Sequence, residues 1–217
     1  SRTASGFVSG RFATSTVGDG FNFYGSIFGV DVPNNTNLRM GTGSTTVEAW
    51  IRFSASVPTG EVRFVFDNQG NPLANIRLYI NENEKPEFTF RDTDGDVSTA
   101  TGPTALNDGI WHHVAGVRGG GVANLYVDGV LAASSINSAA NGSITSTCNW
   151  ARIGASNSVT NPNSAEFHCG PDNSAIDRSQ FVNAGFFKGQ IDEVSVYNTA
   201  LTLSDVQSVY NAGNKGK

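Results

Sequence analysis

The stretch Thr46-Val47-Glu48-Ala49-Trp50-Ile51-Arg52-Phe53 decides the fold. Its small and apolar residues Val47, Ala49, Ile51 and Phe53 take one face, and Glu48, Trp50 and Arg52 take the other. A period of two sends successive side chains to opposite sides of an extended chain, so the segment reads as a strand with one face on a core. The same period recurs downstream. Val62, Phe64 and Phe66 share a face over 61–67, and Ile76, Leu78 and Ile80 share one over 75–81 with Arg77 and Tyr79 opposite. Phe88 and Phe90 point inward over 87–91. Alternation of this kind fits antiparallel sheets that bury one face.

The punctuation agrees. Asp94-Gly95 and Asp128-Gly129 stand between apolar runs and read as type I′ hairpin turns. Gly119-Gly120-Gly121 joins the strands expected over 111–117 and 122–127. Strands spaced by roughly 8–12 residues indicate a sandwich or jelly roll. One short helix is expected near the end, where Ser204 and Gln207 match a capping box, Val206, Val209 and Tyr210 share a helical face, and Gly213 is a stop signal. No repeat or linker interrupts the pattern, so 1–217 reads as a single all-β domain, a two-sheet antiparallel sandwich with one short C-terminal helix.

Composition narrows the partners. With 25 Gly, one Met and 15% charged residues, the chain has a turn-rich β composition rather than a helical one. A domain of this size buries roughly 70% of its unfolded surface, enough to fold without a metal or a disulfide. The net charge is −5 and no Lys/Arg cluster occurs, so nucleic acid is not an expected partner. An acidic polysaccharide would need a local basic patch. No apolar run approaches the ~20 residues that cross a bilayer, so no membrane insertion is expected. Ser1-Arg2-Thr3 carries no signal peptide and no initiating Met, which reads as an excised domain or a mature product.

Cys148 and Cys169 are the two cysteines. They read as a loop-closing disulfide or as two buried thiols; metal or redox use lacks a CxxC spacing. A disulfide would enclose about 20 residues, contribute roughly 3 kcal/mol and place the chain outside the reducing cytosol. A loop as long as the polar stretch 156–185 is usually functional or disordered in a packed domain, and a disulfide at Cys169 would pin it, which favours the functional reading. Trp150 and Phe167-His168 flank the two cysteines, and Asp172, Asn173 and Arg178 lie nearby in sequence. Together they are the candidate ligand-binding cluster: aromatic rings plus hydrogen-bonding groups for hydroxyls. The alternative is a small apolar cluster that packs the loop down.

Five segments taken together resemble the laminin G-like, concanavalin A-like jelly-roll superfamily, in its bacterial and viral branch. They are TVEAWIRF at 46–53, DGIWHHVAGVR at 108–118, ANLYVDGVLAAS at 123–134, ARIGAS at 151–156 and GQIDEVSVYNTALTLSDVQSVYNAG at 189–213. The resemblance implies two stacked antiparallel sheets, with the strand near Phe21–Phe23 beside the strand at 190–196. It also implies binding of sugars, proteins or anionic ligands, often with calcium. Asp192, brought near Asp19 and Asn22 by that pairing, is the candidate calcium set. The family's Phe-Asp-Gly is here Phe23-Tyr24-Gly25, which removes a carboxylate from that position.

Catalytic patterns fit less well. A laminarinase-like glucanase needs two acids on one strand face, in a Glu-x-Asp-x-x-Glu or Glu-x-Asp-x-Glu run. Gly189–Val194 lacks the first Glu, and Asp192 and Glu193 are neighbours that face opposite ways. A lyase on this fold would use His, Tyr and Arg, for which Arg77, Tyr79 and Arg91 share a face. His112-His113 lacks the i, i+2 spacing of a strand metal pair and reads as one inward and one outward imidazole, while Trp50 and Trp111 read as core. Asp92-x-Asp94-Gly95-Asp96 reads as a hairpin turn or a loose metal site, not an EF-hand. The first expectation is therefore a non-catalytic carbohydrate-binding module, calcium-supported and extracellular or surface-exposed. The second is a structural or adhesion domain making protein or homo-oligomer contacts, as on a phage or surface filament. The third is a polysaccharide-degrading enzyme.

Overall fold

The computed structural model describes residues 12–14, 19–25, 29–32, 38–69, 75–144, 151–156 and 185–213. Along them run β1 (Phe12–Thr14), β2 (Asp19–Tyr24), β3 (Val30–Val32), β4 (Thr45–Arg52), β5 (Arg63–Gln69), β6 (Asn75–Ile80), β7 (Pro86–Arg91), β8 (Val97–Thr101), β9 (His112–Gly119), β10 (Val122–Val127), β11 (Val130–Ile136), β12 (Ala151–Ile153), β13 (Lys188–Tyr197) and α1 (Leu203–Ala212). The strands form a seven-stranded sheet in the order β1-β2-β13-β4-β9-β10-β11 and a six-stranded sheet in the order β3-β12-β5-β6-β7-β8. The crossovers make β13 the bridge between β2 and β4, so the terminal strands pair as the family resemblance implies. Among the described residues, no helix is long and apolar enough to cross a membrane.

The period-two residues meet where the sheets face each other. Val47, Ala49, Ile51, Val114, Leu125 and Ile191 come from one sheet, and Phe66, Ile76, Leu78, Ile80, Phe88 and Phe90 from the other, in one buried cluster. Gly116 sets their spacing, because the Phe88 ring of the facing sheet occupies the place of its missing side chain. Arg118 is buried at one end, where its guanidinium donates to the carbonyls of Gly41, Gly43 and Gly142 and lies 5.0 Å from the Phe90 ring centroid. One arginine thereby ties together carbonyls of two loops that lie outside the strand ladders.

The helix covers part of the outer face of the seven-stranded sheet. Val206 packs with Ala115, Val117 and Tyr126, and Tyr210 stacks on Trp50 at 5.6 Å between centroids. The capping box is Thr202 with Asp205 rather than Ser204 with Gln207: the Asp205 N–H donates to the Thr202 hydroxyl and the Thr202 N–H to the Asp205 carboxylate. Starting the helix there turns Val206 and Tyr210 onto the sheet. Gly213 caps the other end with φ 47°.

Four local expectations change. Phe64 does not join Phe66 in the core, because a bulge between them turns Phe64 outward against Tyr79. Asp94-Gly95 is not a type I′ turn: only Gly95 of the pair has positive φ, whereas Asp128 and Gly129 both do. His112 and His113 take opposite faces of β9 as expected, but the outer one is buried too, because α1 covers His113. Trp50 is buried, but under α1 rather than in the main core, and Trp111 is half-buried with the Arg52 guanidinium 5.2 Å from its centroid.

Candidate functional site

The outer face of the six-stranded sheet carries an ordered polar ladder. Register places Asp31, Arg152, Asp67, Arg77, Thr89 and Thr99 in one rung across all six strands. Arg152 Nε donates to Asp31 at 2.6 Å, and Arg77 Nε donates to Asp67 at 3.1 Å. Asp67 also accepts from the Ser156 hydroxyl at 2.6 Å. At the far end the Thr89 and Thr99 hydroxyls lie 2.9 Å apart. The opposite charges therefore alternate along the rung, each cation beside a carboxylate.

A second rung lies beside it. Phe64, Tyr79, Glu87 and Thr101 stand across β5 to β8. The Phe64 and Tyr79 rings lie 5.5 Å apart and the Arg77 guanidinium 5.6 Å from the Phe64 centroid. Glu87 accepts from Asn81 at 2.7 Å and from Thr101 at 3.0 Å. Burial, with hydrogen bonding to Glu87, pushes the Tyr79 hydroxyl up to about 12, so it stays protonated near neutral pH. A third rung pairs Asn75 with Arg91 and Arg91 with Val97. Arg77, Tyr79 and Arg91 thus share a face, as their spacing predicts. Glu87, Thr89, Thr99 and Thr101 join them, for which the polar half of the β7 and β8 alternation is the signal, and Phe64, expected inward, joins them through the bulge.

This surface is built from fixed donors and acceptors on rigid strands. Arg77, Tyr79, Glu87, Thr89 and Thr99 are half-buried and Thr101 is exposed, so part of each residue remains accessible.

Trp150, Phe167, His168, Asp172, Asn173, Arg178, Cys148 and Cys169 lie outside the described residues. Asp192 is buried and accepts from the Glu193 N–H at 2.8 Å, at a bulge where Glu193 takes φ 50°. Asn22 stands opposite Gln190 and its amide donates to the Tyr24 hydroxyl at 3.1 Å. Asp19 begins β2, paired with Thr14. Asn22 and Asp192 bring two oxygen-bearing side chains against the six to eight oxygens calcium takes, so a cation there would depend on further groups. Among the described residues no three His, Cys, Asp or Glu side chains group closely enough to hold a metal. Asp92 is a loop cap: its carboxylate accepts from the N–H groups of Asp94, Asp96 and Gly142.

Two histidine sites complete the polar inventory. His113 is fully buried under α1 and lies 2.5 Å from Glu48, which also accepts from the Tyr197 hydroxyl at 2.7 Å. Burial and the Glu48 bond push that hydroxyl up to about 12. His112 meets Asp128 at 2.8 Å and Asp108 at 3.2 Å, and the Asp128 bond raises its pKa.

Residues 28–207 match the family model of the concanavalin A-like lectin/glucanases superfamily, Laminin_G_3. The chain belongs to this superfamily. Domain 4 of AbnA, a GH43 extracellular arabinanase from Geobacillus stearothermophilus solved with arabinotriose, has a TM-score of 0.59 at 19% identity and covers 92% of this chain and 80% of that one. The binding domain of Paraclostridial Mosquitocidal Protein 1 has a TM-score of 0.64 at 12% identity, covering 93% of this chain. The botulinum neurotoxin serotype D binding domain has 0.64 at 13%, covering 94%. This family member spans 45% of each of those two toxin chains. At such identities the likeness is one of fold. No curated protein matches the sequence.

Proposed function

We propose that the chain is a non-catalytic binding module that engages carbohydrate on the outer face of the six-stranded sheet. The observation that carries this is the hydrogen-bonded array of Arg77, Tyr79, Glu87, Thr89, Thr99 and Thr101 on adjacent rigid strands. Sugar hydroxyls are recognised by such convergent donors and acceptors, and prior fixing of the side chains lowers the entropy lost on binding. The arabinotriose complex of the arabinanase domain supports the same ligand class.

The spacing of carboxylates supports binding without hydrolysis. Asp67 and Glu87 lie two strands and two residues apart, so their Cα atoms are about 12 Å apart by sheet geometry. The two carboxyl groups of a glycosidase flank one bond and must both be free to act on it. Both carboxylates are also occupied, Asp67 by Arg77 and Ser156, Glu87 by Asn81 and Thr101.

A glycan array read with calcium and with EDTA tests the reading and the calcium support together. Binding is expected to fall about ten-fold in Tyr79→Phe and in Glu87→Gln without loss of fold. No glycan bound in either condition would overturn it.

One observation favours a second reading, a structural or adhesion role. The edge strand β11 exposes Val130, Leu131 and Ile136 and contains no charge or proline. Uncharged edges invite pairing with another chain. A stable oligomer by light scattering, dispersed by Leu131→Lys, with no glycan bound, would favour it.

A further inference from the structure

A second surface lies on the outer face of the seven-stranded sheet, one rung beyond Trp50, on which Tyr210 of α1 stacks. Asn22, Gln190 and Arg52 share one rung across β2, β13 and β4, and Trp111 continues it one residue before β9. All four carry planar head groups. Arg52 Nε donates to the Gln190 side-chain amide oxygen Oε1 at 2.6 Å while its guanidinium lies over the Trp111 ring. Asn22 donates to Tyr24, which is 55% exposed on the next rung beside Lys188. Four strands at ~4.8 Å spacing give a strip of about 14 Å, the length of roughly three sugar units.

The charges on this strip are unbalanced. Among the described residues, neither Arg52 nor Lys188 forms an ion pair with a carboxylate. Their Cα atoms lie about 8 Å apart by sheet geometry, on the same face. Asp192 lies one rung away, but it is buried beside Trp50 and accepts from the Glu193 backbone. A chain of net charge −5 thus gathers two cations beside an indole, two amides and a phenol. That is the local basic patch an acidic polysaccharide requires. Aromatic faces stack on sugar rings, and a guanidinium offers parallel N–H groups to a carboxylate or sulfate.

We propose that this strip is a separate binding site for an acidic oligosaccharide, with Trp111 and Tyr24 as stacking surfaces and Arg52 and Lys188 as carriers of the acidic groups. It shares the carbohydrate chemistry of the reading above but uses the opposite sheet. The test titrates tri-galacturonic acid, a chondroitin sulfate tetrasaccharide and neutral maltotriose into the ¹⁵N-labelled chain. The Trp111 indole signal is followed, assigned with Trp111→Phe.

Both acidic probes should shift that signal in millimolar titrations, and maltotriose should shift it less. Arg52→Gln and Lys188→Gln should each weaken acidic binding by about ten-fold. Tyr24→Ala, at an exposed position, should weaken it with an unchanged melting temperature, and Tyr79→Phe should leave it unchanged. Loss with Tyr79→Phe but not with Arg52→Gln would overturn this site and leave the six-stranded face standing. Equal shifts with maltotriose would overturn the acidic assignment, and no shift with either acidic probe would overturn the site. The six-stranded reading is overturned separately, if glycan-array binding by the whole chain is untouched by Tyr79→Phe and Glu87→Gln but abolished by Arg52→Gln.

Discussion

Gly116→Ala tests how closely the two sheets are fitted. An added Cβ would stand 1.9 Å from Phe88 Cδ2, 2.3 Å from Cγ and 2.6 Å from Cε2. Ordinary contact begins near 3.4 Å, so the ring must retreat by about 1.5 Å, the difference between 3.4 and 1.9. Phe88 is fully buried among Ile, Leu and Phe neighbours and has no free volume to enter. Overpacking of this kind costs about 1–3 kcal/mol, and a displacement this large belongs at the upper end. Replacing a strand glycine returns roughly 0.5–1 kcal/mol of backbone entropy, which is the smaller effect. The net expectation is about 2 kcal/mol, or a melting temperature lower by about 4–8 °C for a chain of this size. Phe88→Leu alone should cost about 1–2 kcal/mol through lost contact. In the double variant the shorter side chain vacates the space that the new methyl needs. The double should therefore be less destabilised than the sum of the singles by at least about 1 kcal/mol. Urea unfolding of the four proteins measures all three differences. A Gly116→Ala variant as stable as the parent, or strict additivity, would refute the argued contact.

Three further outcomes are expected. Tyr197→Phe removes one donor from buried Glu48 and should cost about 1.5–3 kcal/mol in urea unfolding, more than a surface Tyr→Phe change. His112 has a folded pKa raised above that of an ordinary imidazole, chiefly by the Asp128 bond. Its stabilisation is complete below about pH 6.5 and is lost as pH rises through the folded pKa; this downward slope should be absent from unfolding free energies of His112→Gln. Thr202→Ala removes the N-cap oxygen and should cost about 0.5–2 kcal/mol, with helix loss visible by circular dichroism before the sheets melt.

Most of the fold was legible in the sequence because its signal is local. Period-two alternation at 46–53, 75–81 and 87–91 needs no knowledge of distant residues, since the chain's own geometry alternates the side chains. Phe64 shows the limit of that signal. A bulge is a mismatch between two paired strands, so the residue that turns outward depends on the register with β6. Asp205 shows another limit: two capping boxes of nearly equal quality overlap, and the docking of Val206 and Tyr210 on the sheet selects one.

The candidate site was legible only in part. Arg77, Tyr79 and Arg91 were visible as polar positions on β6 and β7. Their partners Asp67, Arg152 and Asp31 come from strands far apart in sequence, placed side by side by the crossovers of the sheet. The residues by themselves determined an antiparallel sandwich with one covering helix and no nucleic-acid charge footprint. Only the tertiary structure decided which polar residues face one another, because cross-strand register is a property of pairs. It thereby turned Trp111, a core residue by its own neighbourhood, into a ring lying against Arg52 at one end of an open strip.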